Sequence, residues 1–111
     1  GTGRDEVDDL VLRDRRVLAG EGMISVTVLI SQHEGKLLGA PELIARGVLH
    51  QQVSEAVLAE AAADLQAYLE GMDREALSDI DAAKEEVRIR LRRWCKRRIG
   101  RRPMVLPVVL E

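Results

Sequence analysis

The spacing of apolar and polar positions predicts five elements. From Met23 to Ile30 the residues are mostly β-branched and alternate in character, which suits a pleated strand. Ile24, Val26, Val28 and Ile30 fall on one face; Met23, Ser25, Thr27 and Leu29 fall on the other. The first face is the more apolar and is predicted to meet the core. Ser31 to Lys36 has turn composition. An irregular second strand follows, through Leu37, Leu38, Leu43, Ile44, Val48 and Leu49. Gly39, Pro41 and Gly47 interrupt it, as expected of an edge strand with a bulge.

The period then changes to that of a helix. Ser54 is a suitable N-cap, and Val57, Leu58, Ala61, Leu65, Tyr68 and Leu69 share one face up to Gly71. Ser78 or Asp79 begins a second helix that runs to about Ile99 and stops at Gly100. Its stripe is Ile80, Ala83, Val87, Leu91, Trp94 and Cys95. Pro103 breaks the helical pattern, and Met104 to Leu110 reads as a third strand.

The predicted order is β-β-α-α-β. Two helices with one apolar stripe each bury those stripes most simply on one face of a small three-stranded sheet, an α+β fold. The opposite sheet face is left partly open, with Met23, Leu29, Met104 and Leu106 as candidate interface residues. Residues 21–111 are expected to form the domain. Residues 1–20 read as a cloning remnant, Gly1-Thr2-Gly3, or the interior of a longer protein, followed by a lead-in linker outside the core.

Charge sharpens this picture. Nine of the seventeen basic residues and none of the nineteen acidic ones fall within residues 88–102. That stretch carries +9 and the rest of the chain −11, beneath a total of −2. Such asymmetry points to an anionic partner or a complementary protein surface. Arg90, Arg93, Arg97 and Arg101 follow one helical stripe; Arg88, Arg92 and Lys96 follow another. With Arg102, the first stripe supplies the candidate RNA contacts. The bland alternative is a solvated helix face with ion pairs to the acidic remainder.

Other chemistry is sparse. His33 and His50 lie in unrelated contexts, and no metal-ligand spacing occurs. Cys95, on the apolar stripe, reads as a buried structural thiol, although neighbouring Arg and Lys could lower its pKa. Glu86 and Arg90 are spaced for a surface ion pair. The single Cys fits a reducing cytoplasm, and no apolar run is long enough to span a membrane. No catalytic or metal-binding residue is nominated.

Three stretches together resemble the C-terminal domain of bacterial ribonuclease J. They are Val11 to Ala19 with Gly22-Met23-Ile24, which looks like the linker leaving the family's catalytic region, then Leu37 to Gly47, then Arg101-Arg102-Pro103-Met104-Val105-Leu106-Pro107-Val108. The last is the most specific, because two prolines bracket a short strand. Val48-Leu49-His50 departs from the aromatic usual after the Arg-Gly pair. The resemblance implies a three-stranded sheet with two helices, associated with assembly of the enzyme into dimers and tetramers. It also implies that zinc and RNA cleavage belong to the metallo-β-lactamase and β-CASP domains of the parent protein, so no cofactor is expected here. The partners it implies are further copies of the chain and its parent's catalytic domains. The runner-up reading is an RNA-binding accessory domain using the basic helix.

Overall fold

The computed structural model describes residues 22–47 and 54–110. The elements in chain order are β1 (Met23–Ser31), β2 (Lys36–Leu37), β3 (Glu42–Arg46), α1 (Glu55–Glu70), α2 (Arg74–Ser78), α3 (Ile80–Ile99) and β4 (Met104–Leu110). The fold is α+β, as expected, with two refinements. The second strand comes as two pieces, and a short helix occupies the connection between the long ones.

β1 is the hub of the sheet. β3 runs antiparallel to it along Met23–Thr27, and β4 runs parallel to it along Met23–Leu29. Both use the same stretch of β1, so they flank it on opposite edges. β2 closes a hairpin on Ile30 and Ser31. While β1 steps back three residues, from Ile30 to Thr27, the partner chain advances five, from Leu37 to Glu42. The two extra residues are taken up around Gly39, whose φ of 153° excludes most side chains. A slip of two preserves side-chain parity. Leu37, Leu43 and Ala45 therefore all pack against the core. Val48 and Leu49, assigned to this strand from sequence, lie outside the described residues, as does His50.

The predicted inner face of β1 is the floor of the core. Ile24, Val26, Val28 and Ile30 are each no more than 1% exposed. Burial of such side chains stabilises by roughly 1.5–3 kcal/mol apiece. Ala61, Leu65 and Leu69 of α1, Leu77 of α2, and Ala83, Val87, Leu91 and Cys95 of α3 cover them. α1 lies against β3, and α3 lies against β4 and α1.

The helix ends follow from their caps. Ser54 Oγ accepts from the Val57 amide at 3.2 Å, and Asp79 Oδ1 accepts from the Ala82 amide at 3.1 Å. Asp81 in the first turn of α3 and Lys96, Arg97 and Arg98 in its last complement the helix dipole. Gly100 at φ 69° ends α3 in the left-handed conformation. Gly71 ends α1 without it, at φ −84°, because the chain turns directly into α2.

Candidate functional site

Two surfaces stand out, and each grows from one element pattern. The first is the sheet face turned away from the helices. Parallel pairing matches Met23 with Met104, Ser25 with Leu106, Thr27 with Val108 and Leu29 with Leu110. Paired residues share a face, so all four β4 residues join the outer row of β1. Antiparallel pairing adds Ile44 opposite Ser25, with Glu42 opposite Thr27 and Arg46 opposite Met23. Leu29, Ile44 and Leu110 are 41%, 47% and 49% exposed, values that core aliphatics never show.

All four interface candidates from sequence, Met23, Leu29, Met104 and Leu106, therefore lie on this face. Sequence reasoning missed Ile44, Val108 and Leu110. Alternation alone would have found the last two, by continuing along β4 from Leu106. Ile44 was hidden by the broken register of its strand. One cross-strand row, Ile44–Ser25–Leu106, runs through the middle of the face. It sets two large aliphatics beside one small hydroxyl.

The second surface is a cleft of about 580 Å³ lined by Arg88, Ile89, Arg90, Arg92, Arg93, Lys96, Arg97 and Arg102. No carboxylate is among these lining residues. Positions 89, 93 and 97 follow the core positions 87, 91 and 95 by two residues. At 3.6 residues per turn that sets them on the far side of α3 from the sheet. The cleft and the open sheet face thus lie on opposite sides of the molecule.

The basic residues divide by what they touch. Arg90 donates from Nε and Nη2 to Asp64 at 2.9 and 3.0 Å, and its guanidinium lies 4.8 Å from the Tyr68 ring centre. The bond to Asp64 holds the Arg90 pKa above its ordinary value. Arg98 pairs with Glu60, and Arg88 with Glu85 on its own helix. The bonds of Arg90 and Arg98 tie α3 to α1 along one side of the basic run. Arg92, Arg93, Lys96, Arg97 and Arg102 form no ion pair with a carboxylate among the described residues. Of the five predicted RNA contacts, Arg93, Arg97 and Arg102 meet in the cleft without a carboxylate partner among the described residues. Arg90 borders the cleft but is bound to Asp64. Arg101 is half-buried and is not part of the lining.

One local expectation is corrected and one is borne out. Glu86 does not pair with Arg90. It accepts the Tyr68 hydroxyl at 2.5 Å instead, and that bond, with desolvation, holds the Tyr68 pKa above its ordinary value. Cys95 is the buried thiol expected from its place on the apolar stripe, and burial pushes its pKa up to about 11 in spite of its basic neighbours. His33 is an exposed turn residue whose carbonyl accepts from Arg74 at 3.1 Å. Among the described residues no cluster of three or more His, Cys, Asp or Glu could hold a metal ion, and no helix is long and apolar enough to cross a membrane.

The family profile described as "Ribonuclease J C-terminal domain" matches residues 10–111. The chain belongs to the ribonuclease J C-terminal domain family. It is 25% identical over 111 residues to ribonuclease J2 of Bacillus subtilis. It is 30% and 29% identical to the ribonuclease J 2 proteins of Staphylococcus saprophyticus and Staphylococcus aureus strain NCTC 8325. Each alignment covers the whole of this chain and 20% of the relative. The chain thus spans about a fifth of the length of the curated ribonucleases J2 it matches.

Proposed function

We propose that this ribonuclease J C-terminal domain is an assembly module, which joins copies of its parent ribonuclease through the open sheet face and takes no part in the chemistry itself. The observation that carries the reading is the group of exposed apolar side chains, Leu29, Ile44, Val108 and Leu110, on the face opposite the helices. An exposed aliphatic face of this kind is unfavourable in water and favours a partner. In the same reading the parent protein acts in RNA processing and decay, in a reducing cytoplasm.

The pattern of the face suits a second copy of the chain. A two-fold interface must be self-complementary. A dyad lying across the strands, along the row Ile44–Ser25–Leu106, brings each β3 antiparallel to its mate. Glu42 of one copy then meets Arg46 of the other, twice. Two twisted sheets packed face to face in this aligned manner bury their apolar rows together.

Solution mass measured by light scattering over a concentration series tests the reading. The expected result is a dimer that Leu106→Asp converts to a folded monomer, because the dyad sets the two carboxylates against each other. Mixing Leu106→Asp with Leu106→Lys chains is expected to restore a one-to-one dimer. A wild-type chain that stays monomeric at the highest concentration, or a Leu106→Asp dimer as tight as wild type, would rule the sheet face out.

A further inference from the structure

We infer that the basic cleft on the outer side of α3 binds the phosphate backbone of single-stranded RNA, without reading its bases. The inference rests on membership of a ribonuclease family for the choice of RNA. It is independent of the assembly reading, because the cleft and the sheet face lie on opposite sides.

Three observations support it. First, Arg92, Arg93, Lys96, Arg97 and Arg102 converge on one cleft with no carboxylate in its lining. Spacings of four residues along α3 set successive basic heads about 6 Å apart, which forms a track and not a single point of charge. Second, three of the other four cations of the same run are neutralised: Arg88, Arg90 and Arg98 each meet a carboxylate. The acidic residues of α1 and α3 leave this one side of the run uncompensated. Third, Arg92 Nε is sealed from solvent and meets no hydrogen-bond acceptor. Native structures rarely leave a charged donor in that condition, and a phosphate in the cleft would supply the acceptor once the Arg92 side chain turns its Nε toward it.

The same geometry offers bases no aromatic platform. Stacking on aromatic rings is what holds bases in single-strand binding sites. Trp94 packs against the core, and Tyr68 is held between Glu86 and Arg90. No other aromatic residue exists in the chain. The affinity must come from counterion release, and its signature is dependence on salt. With five cations engaged, the binding constant of a single strand falls with a log–log slope of about −3.5, or about 100-fold between 50 and 200 mM salt.

The experiment titrates the 111-residue chain into a fluorescein-labelled 16-nucleotide oligouridylate and follows anisotropy at several salt concentrations. Expected is the steep slope just given, with equal affinity for oligocytidylate. Arg93→Gln combined with Arg97→Gln is expected to reduce the slope to about −2, whereas Lys36→Gln, on the distant hairpin, leaves it unchanged. Arg92→Lys keeps the charge but loses Nε, and is expected to weaken binding several-fold. Circular dichroism of each variant verifies folding. Three results would overturn the inference: no binding at 25 mM salt, identical slopes for wild type and the double variant, or equal affinity for a Glu-rich peptide of matched charge. The last would assign the cleft to an acidic protein segment.

Discussion

Gly35 lies against the backbone of Arg74 so closely that no side chain fits between them. A Cβ at Gly35 would stand 2.3 Å from Arg74 Cγ and 2.5 Å from the Arg74 carbonyl oxygen. The contact docks the β1–β2 hairpin onto α2. Three bonds hold it there: Arg74 to the His33 carbonyl at 3.1 Å, Gln32 Nε2 to the Ser78 carbonyl at 3.2 Å, and Ser78 Oγ to the Gln32 carbonyl at 3.2 Å. Gly35 also has φ +64°, a conformation that costs a residue with a Cβ about 1–2 kcal/mol before any clash.

Gly35→Ala is therefore expected to destabilise the chain by about 2–4 kcal/mol, conformational cost and clash together. Urea denaturation measures it. A midpoint equal to that of wild type would show that the hairpin can leave α2 without loss.

The bond from Arg90 to Asp64 ties the middle of α3 to α1. Both side chains are about a third exposed, at 33% and 27%, so solvent screens the pair. A double-mutant cycle with Asp64→Ala and Arg90→Ala is expected to give a coupling of about 1 kcal/mol. Zero coupling would mean that the paired charges contribute only by neutralising each other's desolvation.

Burial of Cys95 makes stability depend on alkaline pH. Its folded-state pKa is raised from 9.0 to about 11. Between those values the unfolded chain has lost the thiol proton while the folded chain keeps it. Stability is then fully present below pH 9 and falls as pH rises toward 11, by about 1.4 kcal/mol per unit. The difference between wild type and Cys95→Ala isolates this slope from other titrating groups. The two should run parallel below pH 9 and converge above it. Parallel curves throughout would show that the thiol is solvated. The same burial predicts that thiol reagents label Cys95 only upon unfolding.

Charge exchange across the proposed dyad offers a separate measurement. Glu42→Arg and Arg46→Glu are each expected to weaken the dimer about 10-fold by placing like charges together. The chain carrying both changes is expected to recover wild-type affinity, because Glu42 and Arg46 simply trade places. Sedimentation equilibrium reads all three. An undiminished dimer in both single variants would move the dyad away from the Ile44–Ser25–Leu106 row.

Much of this fold was legible because its signals are local. β-branched alternation revealed the inner face of β1, and Ser54, Asp79 and Gly100 marked helix ends by chemistry that acts within one turn. The split of the second strand was only half legible. Gly39 and Pro41 announced an interruption, but the two-residue slip depends on where β1 pairs. α2 was missed because five residues carry too little periodicity to register, although Leu77 within it is a core residue at 2% exposure.

The candidate surfaces show the same divide. The outer row of β1 follows from alternation, while the contribution of β4 depends on its parallel register, a long-range fact. The basic run was plain from composition. Which of its members meet a carboxylate was not, because the partners of Arg90 and Arg98 lie 26 and 38 positions away on another helix. Sequence spacing offered Glu86 to Arg90, and tertiary packing gave it Asp64.

The pairing of β1 with β4 also governs the order in which the domain can form. Met23 and Met104 are partners at a separation of 81 positions, and every residue of the three helices lies between them. Parallel contacts of such range form late in folding, after the intervening loop has been closed. A nascent chain that has emerged only as far as α3 has both helical stripes in hand and one edge of β1 unpaired. The finished outer row, and with it any capacity to join a second copy, appears only when Met104 to Leu110 are in place. In the proposed assembly, partnership is thereby restricted to chains whose translation has run past β4.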